Sequence, residues 1–236
     1  MKSMKLKALL MISLVFCGCS AEAAQKTKET PAKEDIIISN SHMSDELMEN
    51  FFSFEDRITK SDAIVYGELK DFEMAAPEGM GHIVTIKTFH VIETLHGDIE
   101  PDSDIKVMES GGYMTIADYQ ASLNEETMQW LFPDSSDSEV SKLSDSEKKK
   151  KYISEVWDGY YYPQIGERAV YCLKQRQDDE TLWRIAGAWQ GKYREIEDGV
   201  LLEPNQYNSL SHQALIAGVQ RINYEDLKKM VEDARS

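Results

Sequence analysis

Apolar positions along the chain repeat with two different periods. From 44 to 60, Leu47, Phe51, Phe54 and Ile58 fall 4, 3 and 4 residues apart behind a capping Ser44, which predicts an amphipathic helix. The period then drops to two. Segments 63–69 and 81–95 are dense in β-branched and aromatic residues and predict strands. In the second, Val84 and Ile86 share one face whereas Phe89, Val91 and Leu95 share the other, so a bulge or sharp bend is expected near Lys87 and Thr88. A third strand over 105–109 runs into Gly111 and Gly112. Strands over 168–174, 182–188 and 190–196 follow, with a tight bend or bulge between Gly187 and Gly191. A short helix is predicted over 224–234, with Leu227, Met230 and Val231 on one side.

Between the third strand and residue 168 lies an insertion, about 113–160, with helical spacing. Ile116, Gln120, Leu123, Thr127 and Leu131 line one face, with Trp130 beside it. Ser144 and Glu147 form a capping box that opens a second helix, whose inward residues are Tyr152, Ile153, Val156 and Trp157. Three strands, a helical segment and further strands is the element order of an OB-like β-barrel. The expected fold is therefore mainly β: a barrel of five to six strands with flanking helices and a helical insertion, with α+β as the alternative. No internal repeat is visible.

Five phrases follow one another along the strands: Ser-Asp-Ala-Ile-Val-Tyr-Gly at 61–67, Val-Ile-Glu-Thr-Leu-His-Gly at 91–97, Ile-Lys-Val-Met-Glu-Ser-Gly-Gly at 105–112, Ile-Gly-Glu-Arg-Ala-Val-Tyr-Cys-Leu at 165–173 and Gly-Ala-Trp-Gln-Gly-Lys-Tyr at 187–193. Over about 55–200 the chain thereby resembles a loosely defined group of small secreted bacterial domains and lipoproteins. The resemblance implies a β-barrel and export. It brings no catalytic residues with it.

The N-terminal segment adds an address. Lys2, Lys5 and Lys7 precede an apolar run over 8–16, too short to span a bilayer and of the length of a signal-peptide core. The run ends in Phe16, Cys17, Gly18 and Cys19, which resembles a bacterial lipoprotein signal: residues 1–18 are removed and the Cys19 sulfur is diacylated. Phe16 departs from the leucine usual at its place. An ordinary secretory signal cut in the small-residue stretch 21–24 is the rival reading, and a spanning anchor would need an apolar run about twice as long. Residues 19–35 are mostly Ala, Gln, Lys, Glu, Thr and Pro, a linker composition. As a flexible coil it would reach roughly 20 Å. A single barrel-like domain over 36–236 then opens with Ile36, Ile37 and Ile38.

Charge narrows the function classes. The chain has 26 basic and 42 acidic residues, a formal −16. Removal of 1–18 takes Lys2, Lys5 and Lys7 and no acid, leaving 23 against 42 and a formal −19. That argues against nucleic acid as a partner, whose phosphates call for Lys and Arg, and against adhesion of the folded surface to anionic lipid. The Lys148, Lys149, Lys150 and Lys151 run reads as a solvated face. Of three cysteines, the leader takes Cys17 and lipid takes Cys19, leaving Cys172 without a bridging partner and best read as a small buried hydrophobe.

Candidate chemistry is sparse. Asp98, Glu100, Asp102, Asp104 and Glu109 fall at places 1, 3, 5, 7 and 12 of a calcium loop. Ser103 stands where that loop needs Gly, Lys106 sits at place 9, and the flanks read as strands, so an acidic hairpin feeding a strand explains the segment better. The acidic groups at 134–139 and 178–180 read as solvated loops. Glu93 faces away from His90 and His96 on a strand, which rules against zinc there. No nucleophile elbow or phosphate-cradling loop occurs. Trp157, Tyr160, Tyr161 and Tyr162 form a dense aromatic cluster. Exposed, they are a platform for sugar rings or a protein hot spot; buried, they seat the insertion on the barrel. The expectation is a lipid-anchored extracytoplasmic protein of the cell envelope, acting as a non-enzymatic binding or accessory module without cofactor. Its partners are the membrane, through the N-terminal lipid only, and an envelope protein or glycan. The alternative is a cell-envelope hydrolase with separated catalytic carboxylates.

Overall fold

Two long antiparallel strands, β2 (Ala63–Ala75) and β3 (Val84–His96), form the backbone of a computed structural model that describes residues 30–40, 54–77, 82–132, 139–156, 162–187, 191–202 and 221–235. They are preceded by β1 (Ile36–Asn40) and helix α1 (Phe54–Lys60). After them come β4 (Asp104–Ser110), then the insertion of β5 (Gly112–Thr115), α2 (Ile116–Ser122), α3 (Glu125–Leu131), α4 (Asp145–Lys148) and β6 (Tyr152–Glu155). The chain continues through β7 (Arg168–Gln175), β8 (Leu182–Ile185), β9 (Lys192–Glu197), β10 (Val200–Leu202), β11 (Arg221–Asn223) and α5 (Tyr224–Arg235). Residues Pro31–Ser236 make one compact unit.

The protein is mainly β, with 45% of its described residues in strands. Strands β2, β3, β4, β8 and β7 close into a five-stranded barrel, with β8 pairing to β4 in parallel and to β7 antiparallel. In ring order the first, second, third, fifth and fourth barrel strands follow one another, an OB-like arrangement with the insertion between the third and fourth. The free edge of β7 changes partner along its length: Leu173 to Gln175 pair with β8, whereas Ala169 to Tyr171 pair with β9. Strand β9 therefore covers one end of the barrel, and β10 and β11 extend the sheet beyond it.

Three apolar clusters follow from this layout. Leu69, Phe89, Val91, Val107, Tyr171 and Leu173 fill the barrel. Ile58 of α1 and Leu227 and Val231 of α5 cover its outside against Ile64, Val170 and Cys172. Strand β7 is thus apolar on both faces, as its unbroken Ala-Val-Tyr-Cys-Leu run requires. Met230, placed inward by the spacing, is 40% exposed. At Gly67 a Cβ would stand 2.1 Å from the His90 carbonyl oxygen, so only glycine lets β2 approach β3 there.

Two expectations are corrected. Strand β3 shows no break near Lys87: Thr85, Lys87, Phe89 and Val91 are all buried in unbroken alternation. The β2–β3 ladder is irregular at three places: Lys70 of β2 is extra opposite Phe89 and Thr88, which puts the bulge expected there on the partner strand, and Ile92 and Leu95 are extra on β3. The apolar pattern switched because a lysine occupies an inward position. In the insertion, the Ser144–Glu147 capping box is present, but its helix lasts only four residues. Tyr152 and Ile153 belong to β6, not to a helix, because β1 supplies a parallel partner on one side and β5 an antiparallel partner on the other. Ile153 packs with Ile83, Ile116, Tyr119 and Val140 in the third cluster. The expected helix residues 44–53 lie outside the described residues.

Candidate functional site

The inward alternation of β3 carries Lys87 into the barrel, and four other polar side chains meet it there. Glu109 comes from β4, Tyr171 from β7, Glu167 from the residue before β7, and Lys192 from the first position of β9. The side chains of Lys87, Glu109, Glu167 and Lys192 are 0%, 3%, 7% and 8% exposed, so water contributes little to solvating their charges. Lys87 Nζ donates to Glu109 Oε2 and lies 3.4 Å from the Tyr171 hydroxyl. Lys192 Nζ stands 3.8 Å from the same Glu109 oxygen and 3.4 Å from Glu167 Oε1. Both ammonium groups lie over the Tyr171 ring, at 5.5 and 5.9 Å from its centre.

Two lysines face two glutamates in this quartet, and their charges bias one another's protonation. Burial opposes the charge of Lys87, yet Glu109 and Glu167 outweigh it and raise the lysine above its ordinary range. Lys192 is raised by the same two carboxylates against the same burial and against Lys87. Burial also opposes ionisation of Glu109, but Lys192 and Lys87 together hold it below the usual carboxylate range. Burial raises the Tyr171 phenol, helped by Glu167 and Glu109 against the pull of Lys192. At neutral pH the lysines are ammonium ions, Glu109 is a carboxylate and the tyrosine is neutral. Neither lysine is therefore a free amine nucleophile, and Glu109 carries no proton to give a substrate.

A third buried cation lies outside the barrel. Arg57 of α1 is fully buried and donates from Nε to the Tyr193 hydroxyl at 2.9 Å, with its guanidinium carbon 5.7 Å from the ring centre. Burial pushes the neighbouring Cys172 thiol up to about 12, which makes it the inert buried hydrophobe the sequence suggested. On the surface, Glu167, Arg168, Glu195, Glu197 and Asp198 line an open groove. Both Glu195 oxygens are already engaged there, by the Tyr66 hydroxyl at 2.9 Å and the Gly199 N–H at 2.7 Å.

The sequence candidates are dispersed. Asp98, Glu100, Asp102 and Asp104 lie exposed around the β3–β4 turn, whereas Glu109 points into the barrel. Asp104 and Asp102 flank the His90 ring at 2.8 and 3.3 Å. Backbone bonds between Val91 and Ser103 and between Asp102 and Val91 make the turn a hairpin. Among the described residues, no three His, Cys, Asp or Glu side chains gather at a metal-sized position. Glu93 turns to α5, where the Tyr224 hydroxyl donates to it at 2.6 Å and Lys228 pairs with it. Of the aromatic cluster, Tyr162 is half-buried between Phe72 and Tyr113, with ring centres 5.7 Å apart in each pair. It staples the end of the insertion to β2 and β5. Trp157, Tyr160 and Tyr161, like Cys19, lie outside the described residues. Lys87, Glu167 and Lys192 were missed; a lysine at period two with Thr85, Phe89 and Val91 was the available signal. The chain matches no family model, no curated protein and no solved structure.

Proposed function

We propose that this protein is a lipid-anchored, extracytoplasmic binding or accessory module of a bacterial cell envelope, non-enzymatic, working through the outside of its barrel on an envelope protein or a glycan. The observation that carries the reading is the leader. Three lysines, a short apolar run and the Gly18-Cys19 pair stand twelve residues ahead of the compact unit that begins at Pro31. No helix among the described residues is long and apolar enough to cross a membrane. Membrane residence then rests on hydrocarbon attached near the N-terminus, where each buried methylene contributes about 0.8 kcal/mol. The interior favours binding over hydrolysis. Glu109 is buried inside the barrel against Lys87 and Lys192, and only Glu167 of the two carboxylates reaches the surface groove, so they do not line a substrate cleft together.

Cys19→Ser tests the anchor. The wild type is expected to partition into the detergent phase and to incorporate labelled palmitate, and the variant to do neither. A wild-type mature chain that starts at Gln25 and carries no lipid would overturn the reading.

A further inference from the structure

We propose that the basic segment 142–151 is a membrane-facing surface that binds the phosphates of anionic lipid headgroups and orients the domain on its tether. The proposal rests on the lipid-anchor reading and deepens it. Ten consecutive positions hold Lys142, Lys148, Lys149, Lys150 and Lys151 against Asp145 and Glu147, a formal +3 that the pairing of Lys151 with Asp35 lowers to +2, in a chain of −16. Lys149 and Lys150 are exposed. Of the two acids, Glu147 is engaged in its own capping box, accepting from the Ser144 N–H at 2.8 Å and its hydroxyl at 2.6 Å.

The fold gives this patch its position. Strand β6, which follows the lysines directly, pairs in parallel with β1, so Ile36 lies opposite Tyr152. Lys151 Nζ is bonded to Asp35 at 2.8 Å and to the Glu34 carbonyl at 3.1 Å. The lysine run therefore sits where the chain arriving from Cys19 joins the domain. Even fully extended, the twelve residues from Cys19 to Pro31 reach no more than about 43 Å, and a coil of that length reaches roughly 20 Å. A tether of that reach keeps the face beside the attachment point within a few tens of ångströms of the lipid it carries.

Net charge does not decide this contact. Fields are screened over about 8 Å at physiological salt, so acids elsewhere on the domain do not cancel lysines at the headgroups. Lysine ammonium groups suit phosphate as mobile point charges. The formal −16 argues against lipid adhesion of the folded surface as a whole; the proposal concerns this one locally basic face.

The test uses full-length lipidated protein on vesicles of phosphatidylcholine, with and without phosphatidylglycerol, and reads acylation of individual lysines by mass spectrometry. Lys148, Lys149 and Lys150 are expected to be protected several-fold on the anionic vesicles relative to phosphatidylcholine, with Lys70 unchanged and high salt removing the difference. The triple variant Lys148→Gln, Lys149→Gln, Lys150→Gln should still float with both vesicles but lose the added protection of Lys142. Flotation of the wild type with equal labelling on both vesicles overturns the patch alone. Failure to float on phosphatidylcholine overturns the anchor and the patch together. Protection in native membranes but not on anionic vesicles would assign the lysines to a protein partner and overturn the lipid assignment.

Discussion

Lys87→Met tests the buried quartet directly. Methionine keeps most of the stem volume inside the barrel and removes only the ammonium, so packing changes little. Glu109 is then left in a site with 3% side-chain exposure, its one remaining cation being Lys192 at 3.8 Å. Removing one partner of a buried ion pair costs about 3–5 kcal/mol, because the other charge stays desolvated. Lys192 compensates part of this, which places the expected loss near 3 kcal/mol. With a urea slope of about 2 kcal/mol per molar, the unfolding midpoint falls by roughly 1.5 M at neutral pH with the slope unchanged. The double variant Lys87→Met, Glu109→Leu is the control. It removes both charges of the tightest pair and leaves Lys192 with Glu167 at 3.4 Å. It should recover at least half of the loss, since apolar replacement of a whole buried pair is often neutral or stabilising. A single-variant loss below about 1 kcal/mol, or a double-variant loss equal to the sum of the singles, would refute the argument.

Three further outcomes are expected. Glu109 has a folded pKa below its unfolded value, so its contribution is present above the usual glutamate pKa and disappears as pH falls through the folded one. Lys87 and Lys192 have folded values above theirs, so their contributions hold below the usual lysine pKa and disappear as pH rises through the folded ones. Urea midpoints should thus show a plateau between about pH 5 and 10, and an acid limb identical in wild type and Lys87→Met would contradict the coupling. Cys172, with its thiol pushed up to about 12 and buried, should resist thiol reagents at pH 8 in native protein and react fully in denaturant; rapid native labelling would contradict its placement. Gly67→Ala puts a Cβ 2.1 Å from the His90 carbonyl oxygen and should cost more than about 3 kcal/mol by thermal melting; an unchanged melting temperature would show that β2 and β3 do not approach as described.

Legibility in the sequence followed the range of the interactions involved. Strands β2, β3, β4 and β7 and helix α5 were visible because each carries its own periodicity, and their order was enough to point to the barrel. The β6 segment was misread because a capping box fixes where a helix starts, not how far it runs; strand pairing with β1, more than a hundred residues away, decided the outcome. The grouping of the quartet was not legible for a related reason. Lys87, Glu109, Glu167 and Lys192 come from four separate segments, and a charged residue in a strand normally marks the solvent side. Only the barrel closure, which brings four separate segments together, turns that rule around.

The quartet also bears on why β9 sits where it does. The open edge of β7 is shared, with β8 taking Leu173 to Gln175 and β9 taking Ala169 to Tyr171. In the observed register Lys192 faces the carboxylates, while Tyr193 on the other side packs with Ile58 and Leu227 and receives the Arg57 hydrogen bond. Sliding β9 by one residue would exchange the two faces. Tyr193 would be driven into a filled barrel, Glu109 and Glu167 would keep only Lys87, and the Lys192 charge would lie in the apolar layer beneath α1 and α5. Each of those consequences is costly on its own terms, because an unpaired buried charge and an overfilled core both destabilise. The ions that add little net stability as a pair therefore discriminate strongly between registers, at the place where the barrel changes from one closing strand to another.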